Sequence, residues 1–274
     1  MAKELCTSLA VLAISVCLVL ALQGHASAAE NDSSSKTITD DVSRAERVTR
    51  LARLAEKEFK GKRTLSAAER YVLSAAASGE PACFRRDDKK VSDCANVNKT
   101  FCGREKTVHS YLIRWMLLDH SAAAYLVSTG IDIYGATLIG KLDLSYSNVK
   151  ASIRLQGCEI PDGVELGWAT TKLLDFSDSS IGKGLNGSGL VSEGDVILLA
   201  SQISDQVYLT GARIHGDLVC SGGQFNSSRQ SHPSLSLNGA EILGSLFLDD
   251  CFHSRGKVDL VLTENSLRTK FESV

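Results

Sequence analysis

The chain has 274 residues, enough for one or two domains with a sizeable core. Its 30 basic and 32 acidic residues nearly cancel, which argues against nucleic acid or another polyanion as a partner. Three prolines and 22 glycines suit a turn-rich repeat protein rather than a disordered one.

The first stretch reads as a targeting segment. Lys3 supplies a positive start, Leu9 to Leu22 is an apolar run, and Ala26-Ser27-Ala28 offers a small-residue cleavage site. The run is short for a bilayer span, which needs about 20 residues. Residues 1–28 are therefore expected to be a cleaved secretory signal, with an uncleaved anchor as the alternative. On this reading the protein is exported, to the periplasm or beyond, and touches the membrane only if that segment is retained. Residues 29–42 are polar and serine-rich and read as a flexible leader.

A short helical region is expected over 43–130. Ser43-Arg44-Ala45-Glu46 and Ser66-Ala67-Ala68-Glu69 both fit a capping box, in which the serine and glutamate side chains satisfy orphan amides of the first turn. The first opens a stretch with Val48, Leu51, Leu54 and Ala55 on one side; its Arg44, Arg47, Arg50 and Arg53 read as a solvated face. The second should end near Gly79. Cys83, Cys94 and Cys102 follow, and in an oxidising compartment three clustered cysteines suggest one local disulfide, with the pairing open. Their spacings do not match a zinc ribbon, and no metal ligand set is assigned. Val108 to Leu118 is apolar at helical spacing and is expected to cap the next element with Tyr111, Leu112, Trp115 and Leu118.

From 131 to 262 the chain repeats itself. Gly135-Ala136-Thr137-Leu138-Ile139-Gly140-Lys141-Leu142-Asp143-Leu144 returns at Gly211 to Cys220 and again at Gly239 to Leu248. A small-residue slot recurs at one fixed step through Ala136, Ser147, Cys158 and Ala169, and a large slot keeps the same step through Leu144, Leu155 and Leu166. After a one-residue contraction the small slot resumes at Ser201, Ala212 and Gly223, and after an insertion at Ala240 and Cys251. Within a unit, apolar residues alternate as in strands, with glycines at the corners. The predicted fold is mainly β: a parallel β-helix, or solenoid, of ~11-residue half-coils, two per coil, preceded by the helical region. No unit buries its apolar face alone, so the stack is the stable entity. Cys158, Cys220 and Cys251 occupy core slots and are expected buried and reduced. Gly184 to Gly194 is only loosely in register, and Gln224 to Pro233 reads as a loop bulging from one corner. Residues 263–274 form a tail or an incomplete cap.

The order of these parts resembles a family of largely uncharacterised bacterial β-solenoid proteins, pentapeptide-repeat-like and exported. Some of its members are named "membrane-associated oxidoreductase". The resemblance runs from about residue 64 to 260. It rests on Leu65-Ser66-Ala67-Ala68-Glu69-Arg70, Ala77-Ser78-Gly79-Glu80, Lys106-Thr107-Val108, Leu112-Ile113-Arg114-Trp115, the Gly135 unit, and Cys220-Ser221-Gly222-Gly223-Gln224-Phe225. These are turn and core positions, so the resemblance implies a fold and no chemistry. The expected Gly-Ala unit after His253 is replaced by Val261 to Val274.

No glycine fingerprint between a strand and a helix cradles a dinucleotide, so no cofactor is assigned. Gly187-Ser188-Gly189 lacks the spacing of a nucleophile elbow. The acidic residues Asp143, Glu165, Asp175, Asp195, Asp217 and Asp249, and the pair His215/Asp217, are the candidates for a carbohydrate-active groove. Outward positions on a solenoid are polar in any case, so each carboxylate reads first as solvation, and a single His/Asp pair falls short of an acid/base site. No catalytic residue is assigned. DNA-mimicking solenoids are acidic and cytosolic, unlike this chain. Two readings stay open. One is a non-catalytic scaffold at the cell envelope that binds an envelope protein or glycan, or associates end to end. The other is a carbohydrate-binding or carbohydrate-active β-helix.

Overall fold

The computed structural model describes residues 33–84, 105–126, 129–227, 232–263 and 269–270. The expected signal segment, Cys94 and Cys102 lie outside them.

From Ile131 onward the chain is a parallel β-solenoid with four walls. Leu174 pairs with Val196 and Val196 with Leu218, so one coil takes up about 22 residues, twice the sequence unit. Within a coil the chain visits wall one at Leu174–Asp175, wall two at Ser180–Ile181, wall three at Leu185–Asn186 and wall four at Val191–Ser192. Each half-coil thus supplies two walls, the two apolar pulses seen in sequence. Walls one and three face each other across a core that holds Leu142, Ile153, Leu174, Val196 and Leu218, all fully buried. Wall one carries eight strands, which at ~4.8 Å between neighbours gives a rod about 34 Å long.

The one-residue contraction falls between walls four and one, because Ile153 pairs with Leu174, one position short of the step from Leu174 to Val196. The insertion enlarges a single coil: Val207 pairs backward with Leu185 at the usual step, but forward with Leu235, well beyond it. It is narrower than the sequence suggests. Gln224–Asn226 stays in wall two and Pro233–Ser236 in wall three, so both ends of the expected loop belong to strands. Gly184 to Gly194 is also better ordered than expected. Leu185 and Val191 hold full register with Val207 and Arg213.

Helix α1 (Ser33–Phe59) starts well before the Ser43 box, so Ser43 lies inside a helix and the stretch read as a flexible leader is helical from Ser33. A serine-rich start has low helical propensity, but a helix already propagating extends through it at little further entropic cost. Helix α2 (Ala67–Ser78) keeps the predicted capping box at Ser66 and Glu69 and ends at Gly79 with φ of 77°. Helix α3 (Ser110–Leu118) is followed by the short α4 (His120–Ala123).

The amino-terminal region joins the stack directly. Ala82–Cys83 pairs with Ile133–Tyr134 on wall one, and Thr107–His109 pairs with Thr137–Ile139 on wall two. Where wall three needs a strand below Leu142–Asp143, the chain supplies α3 instead. The Ser110 hydroxyl donates to the Gly140 carbonyl and Arg114 to the Asp143 carbonyl, satisfying groups that a strand would otherwise bond. The cap is as expected, but its inward face is different. Leu112, Ile113, Met116 and Leu117 are buried, whereas Tyr111 is exposed and packs with Trp115 against Phe59 of α1. At the other end, Thr269–Lys270 returns to wall one beside Leu246–Phe247.

Candidate functional site

The six carboxylates do not converge. Asp143 and Glu165 stand on wall three, Asp175 on the opposite wall one, Asp249 at the turn just after a wall-one strand, and Asp195 and Asp217 at the corner before wall one. Most serve their own turns. Asp143 accepts the Ser145 N–H at 2.9 Å, which holds its carboxyl below the usual range. Asp175 accepts from the Ser177 N–H at 2.9 Å and its hydroxyl at 2.6 Å. Asp195 accepts the Asp217 N–H at 2.8 Å, and Asp217 accepts the Ser245 N–H at 2.7 Å. These last two carboxylates reach one coil ahead, over a glycine. A β-carbon on Gly216 would lie 2.1 Å from Asp195 Oδ1, and one on Gly244 2.3 Å from Asp217 Oδ1. Glu165 accepts from Asn186 Nδ2 at 2.9 Å and pairs with Lys141 at 3.1 Å, and the Ser221 hydroxyl donates to Asp249. His215 is not joined to Asp217; its Nδ1 sits 2.9 Å from the Ser192 carbonyl, which makes it the donor. An acid/base pair needs two groups facing one reacting atom, and this arrangement does not provide them.

Two depressions stand out instead, and neither was picked out in sequence. The larger, about 640 Å³, lies on the cap between α1 and α3 and is lined by Phe59, Tyr111, Trp115, Leu118, Arg63 and Arg114. Its wall is stiffened by a buried ion network. Glu69, with no exposed surface, accepts from Arg63, from the Ser66 N–H at 2.9 Å and from the His109 N–H at 3.2 Å. Burial alone would raise its carboxyl, but these bonds and the Arg63 charge outweigh burial and hold it below the usual range. The Arg63 guanidinium stacks 4.7 Å above the centre of the Tyr111 ring, a cation–π contact. Arg63 is answered by Glu69 and Lys62 by Glu58 at 2.6 Å, while Arg114 donates to the Asp143 carbonyl.

The second depression, about 360 Å³, lies along the corner between walls three and four and is lined by Trp168, Val191, Arg213, Glu241 and Thr263, among others. The corner position has left-handed backbone in successive coils: Tyr146 at φ 55°, Trp168 at 57°, then Gly189, Gly211 and Gly239 at 65–67°. Trp168 is 66 % exposed and Tyr146 81 %. The repeat alignment held the signal, since Trp168 stands one coil-step and Tyr146 two coil-steps before the glycine column. The core slots that define the period do not mark this corner.

Among the described residues the free cysteines are Cys158 and Cys220, both buried. Cys83 is fully buried on wall one. Cys251 departs from expectation: it is exposed, with φ of 64°. No group of three His, Cys, Asp or Glu among the described residues has the geometry of a metal site, and no described helix is long and apolar enough to cross a membrane. No protein-family model, curated protein or solved structure matches the chain.

Proposed function

We propose that this chain is a non-catalytic β-solenoid scaffold of the bacterial cell envelope, exported through its amino-terminal segment and acting by binding. The observation that carries the reading is the dispersal of its carboxylates. They stand on opposite walls and a corner, and most are committed to turn and inter-coil hydrogen bonds. A rigid rod with four flat walls suits a display surface, since each coil repeats the same outward positions at a fixed rise. Membership of the pentapeptide-repeat-like family belongs to the same proposal, as does one disulfide among Cys83, Cys94 and Cys102.

Expression with the native amino terminus, followed by fractionation and amino-terminal sequencing, tests export; cleavage after Ala28 and recovery from the periplasm are expected. Cross-linking in intact cells tests binding, and a discrete cross-linked partner or oligomer is expected. Cytosolic recovery would overturn the export half, and a strict monomer with no cross-link the binding half.

The carbohydrate reading keeps one specific support, the exposed aromatic corner at Tyr146 and Trp168.

A further inference from the structure

We propose that the corner between walls three and four is a platform for a neutral glycan, with the Trp168 indole as the surface on which one sugar ring stacks. This assignment rests on the reading of the chain as a binding module and names what that module holds.

The corner breaks its own backbone pattern. Left-handed backbone strains a residue with a β-carbon, and glycine avoids that strain. Gly189, Gly211 and Gly239 take the position in three coils, yet Tyr146 and Trp168 take it in the two before them. Both aromatics then leave most of their surface in water. Neither the strain nor the exposure of these aromatics helps the fold.

The geometry of Trp168 is specific. A β-carbon on Gly189 would sit 2.7 Å from its Cδ2 and Cε3 and 2.9 Å from Cε2. The indole therefore lies flat across the Gly189 backbone, one face down and the other open to solvent. Ahead of it the corner is bare. β-Carbons on Gly211 and Gly239 would meet nothing within 4 Å. The platform thus opens directly into the 360 Å³ depression.

The flanks decide the ligand chemistry. Arg213 Nε donates to Glu241 Oε2 at 2.7 Å, so the two charges answer each other and leave polar atoms without net charge. A charged ligand would have to part this pair. A purely apolar one would cover it and leave hydrogen-bonding groups dry. A hexopyranose meets both demands: its C–H face packs on the indole, and its rim of hydroxyls bonds to the guanidinium, the carboxylate and Thr263.

The protein has two tryptophans, Trp115 and Trp168, so Trp115→Phe leaves the platform as the sole indole reporter. The full chain carrying that substitution is titrated with cellohexaose, chitohexaose and maltohexaose while indole emission is followed. A saturable blue shift with at least one of them is expected. Calorimetry on Trp168→Gly, which suits the left-handed backbone and so folds, should show affinity reduced about tenfold or more, as expected for loss of a stacking contact. No saturable response to any of the three, or unchanged affinity in Trp168→Gly, overturns the proposal. If the sugars fail while cross-linking still captures a partner, the glycan assignment falls and the binding reading stands. If both fail, both fall.

Discussion

Gly187 and Leu190 exchange sizes. Other coils place Leu144, Leu166 and Leu209 in the large slot of wall three and Ser147, Ala169 and Ala212 in the small slot at the next corner. Here the large slot holds Gly187 and the corner holds a fully buried Leu190. A β-carbon on Gly187 would stand 2.8 Å from Leu209 Cδ2 and 3.4 Å from Leu190 Cδ2, so these leucines fill the space that it vacates. Leu190→Ala should lose about 2–5 kcal/mol of stability, the cost of an internal cavity. Gly187→Leu should also destabilise, by overpacking. The double variant restores the pattern of the other coils and should recover much of the loss. Strict additivity in denaturant unfolding would show that the slots are independent.

The same logic appears where Phe225 takes the inward slot filled by Ile160, Ile181 and Ile203 in earlier coils. The preceding small slot shrinks to Gly223, whose added β-carbon would sit 3.1 Å from the Phe225 ring. Gly223→Ala should therefore destabilise, though a surface glycine in a loop would tolerate alanine. Thermal unfolding is the check.

Glu69 makes stability depend on acid. Its folded carboxyl titrates below the unfolded value of about 4.3, so its contribution is fully present above that value and is lost as pH falls through the folded one. Glu69→Gln should lose about 1.5–3 kcal/mol near neutral pH, because charge-assisted bonds to Arg63 and two amides are weakened. The variant should also show a flatter stability profile below about pH 4. Unfolding free energies measured across that range decide it; parallel profiles would mean that another group carries the acid sensitivity.

Asp195 and Asp217 separate a structural carboxylate from a chemical one. Replacement by asparagine keeps an oxygen acceptor for the next coil's amide, and replacement by alanine strands that amide. Each alanine variant should cost about 1 kcal/mol more than its asparagine counterpart. Equal losses from both substitutions would show that the negative charge, not the bond, is what matters there.

Cys158 and Cys220 should be silent toward thiol reagents in the native protein. Burial pushes the Cys220 thiol well above its usual range, and the thiolate is the reactive form. Labelling followed by mass spectrometry should modify both only after denaturation. Rapid native labelling of either would mean that the coil opens locally.

The coil period, the contraction, the insertion and the helical cap were all legible, because each is written in core residues whose spacing is fixed by strand geometry. Gly79 likewise marked its helix end through a conformation that few other residues accept. The inward face of α3 was misread, since Tyr111 and Trp115 have the same helical spacing as Leu112 and Met116 and only α1 decides between them. Trp168 was passed over for a related reason. Its meaning comes from the Gly189 backbone beneath it, a contact between positions distant in sequence and one coil apart in space. The carboxylates were legible as outward and acidic; that most bond within turns or to the coil ahead depends on hydrogen-bond partners that a residue pattern does not encode.

The helix lying beneath Leu142–Asp143 has a consequence for the order of events in time. During synthesis the lid leaves the ribosome before any coil, and it presents the strands Ala82–Cys83 and Thr107–His109 for the next segment to join. Every later segment then finds its partner one coil behind it, already in place. Such a chain has no need to search distant pairings: each coil completed during synthesis is a ready edge for the next, as in a zipper that can close from the amino terminus.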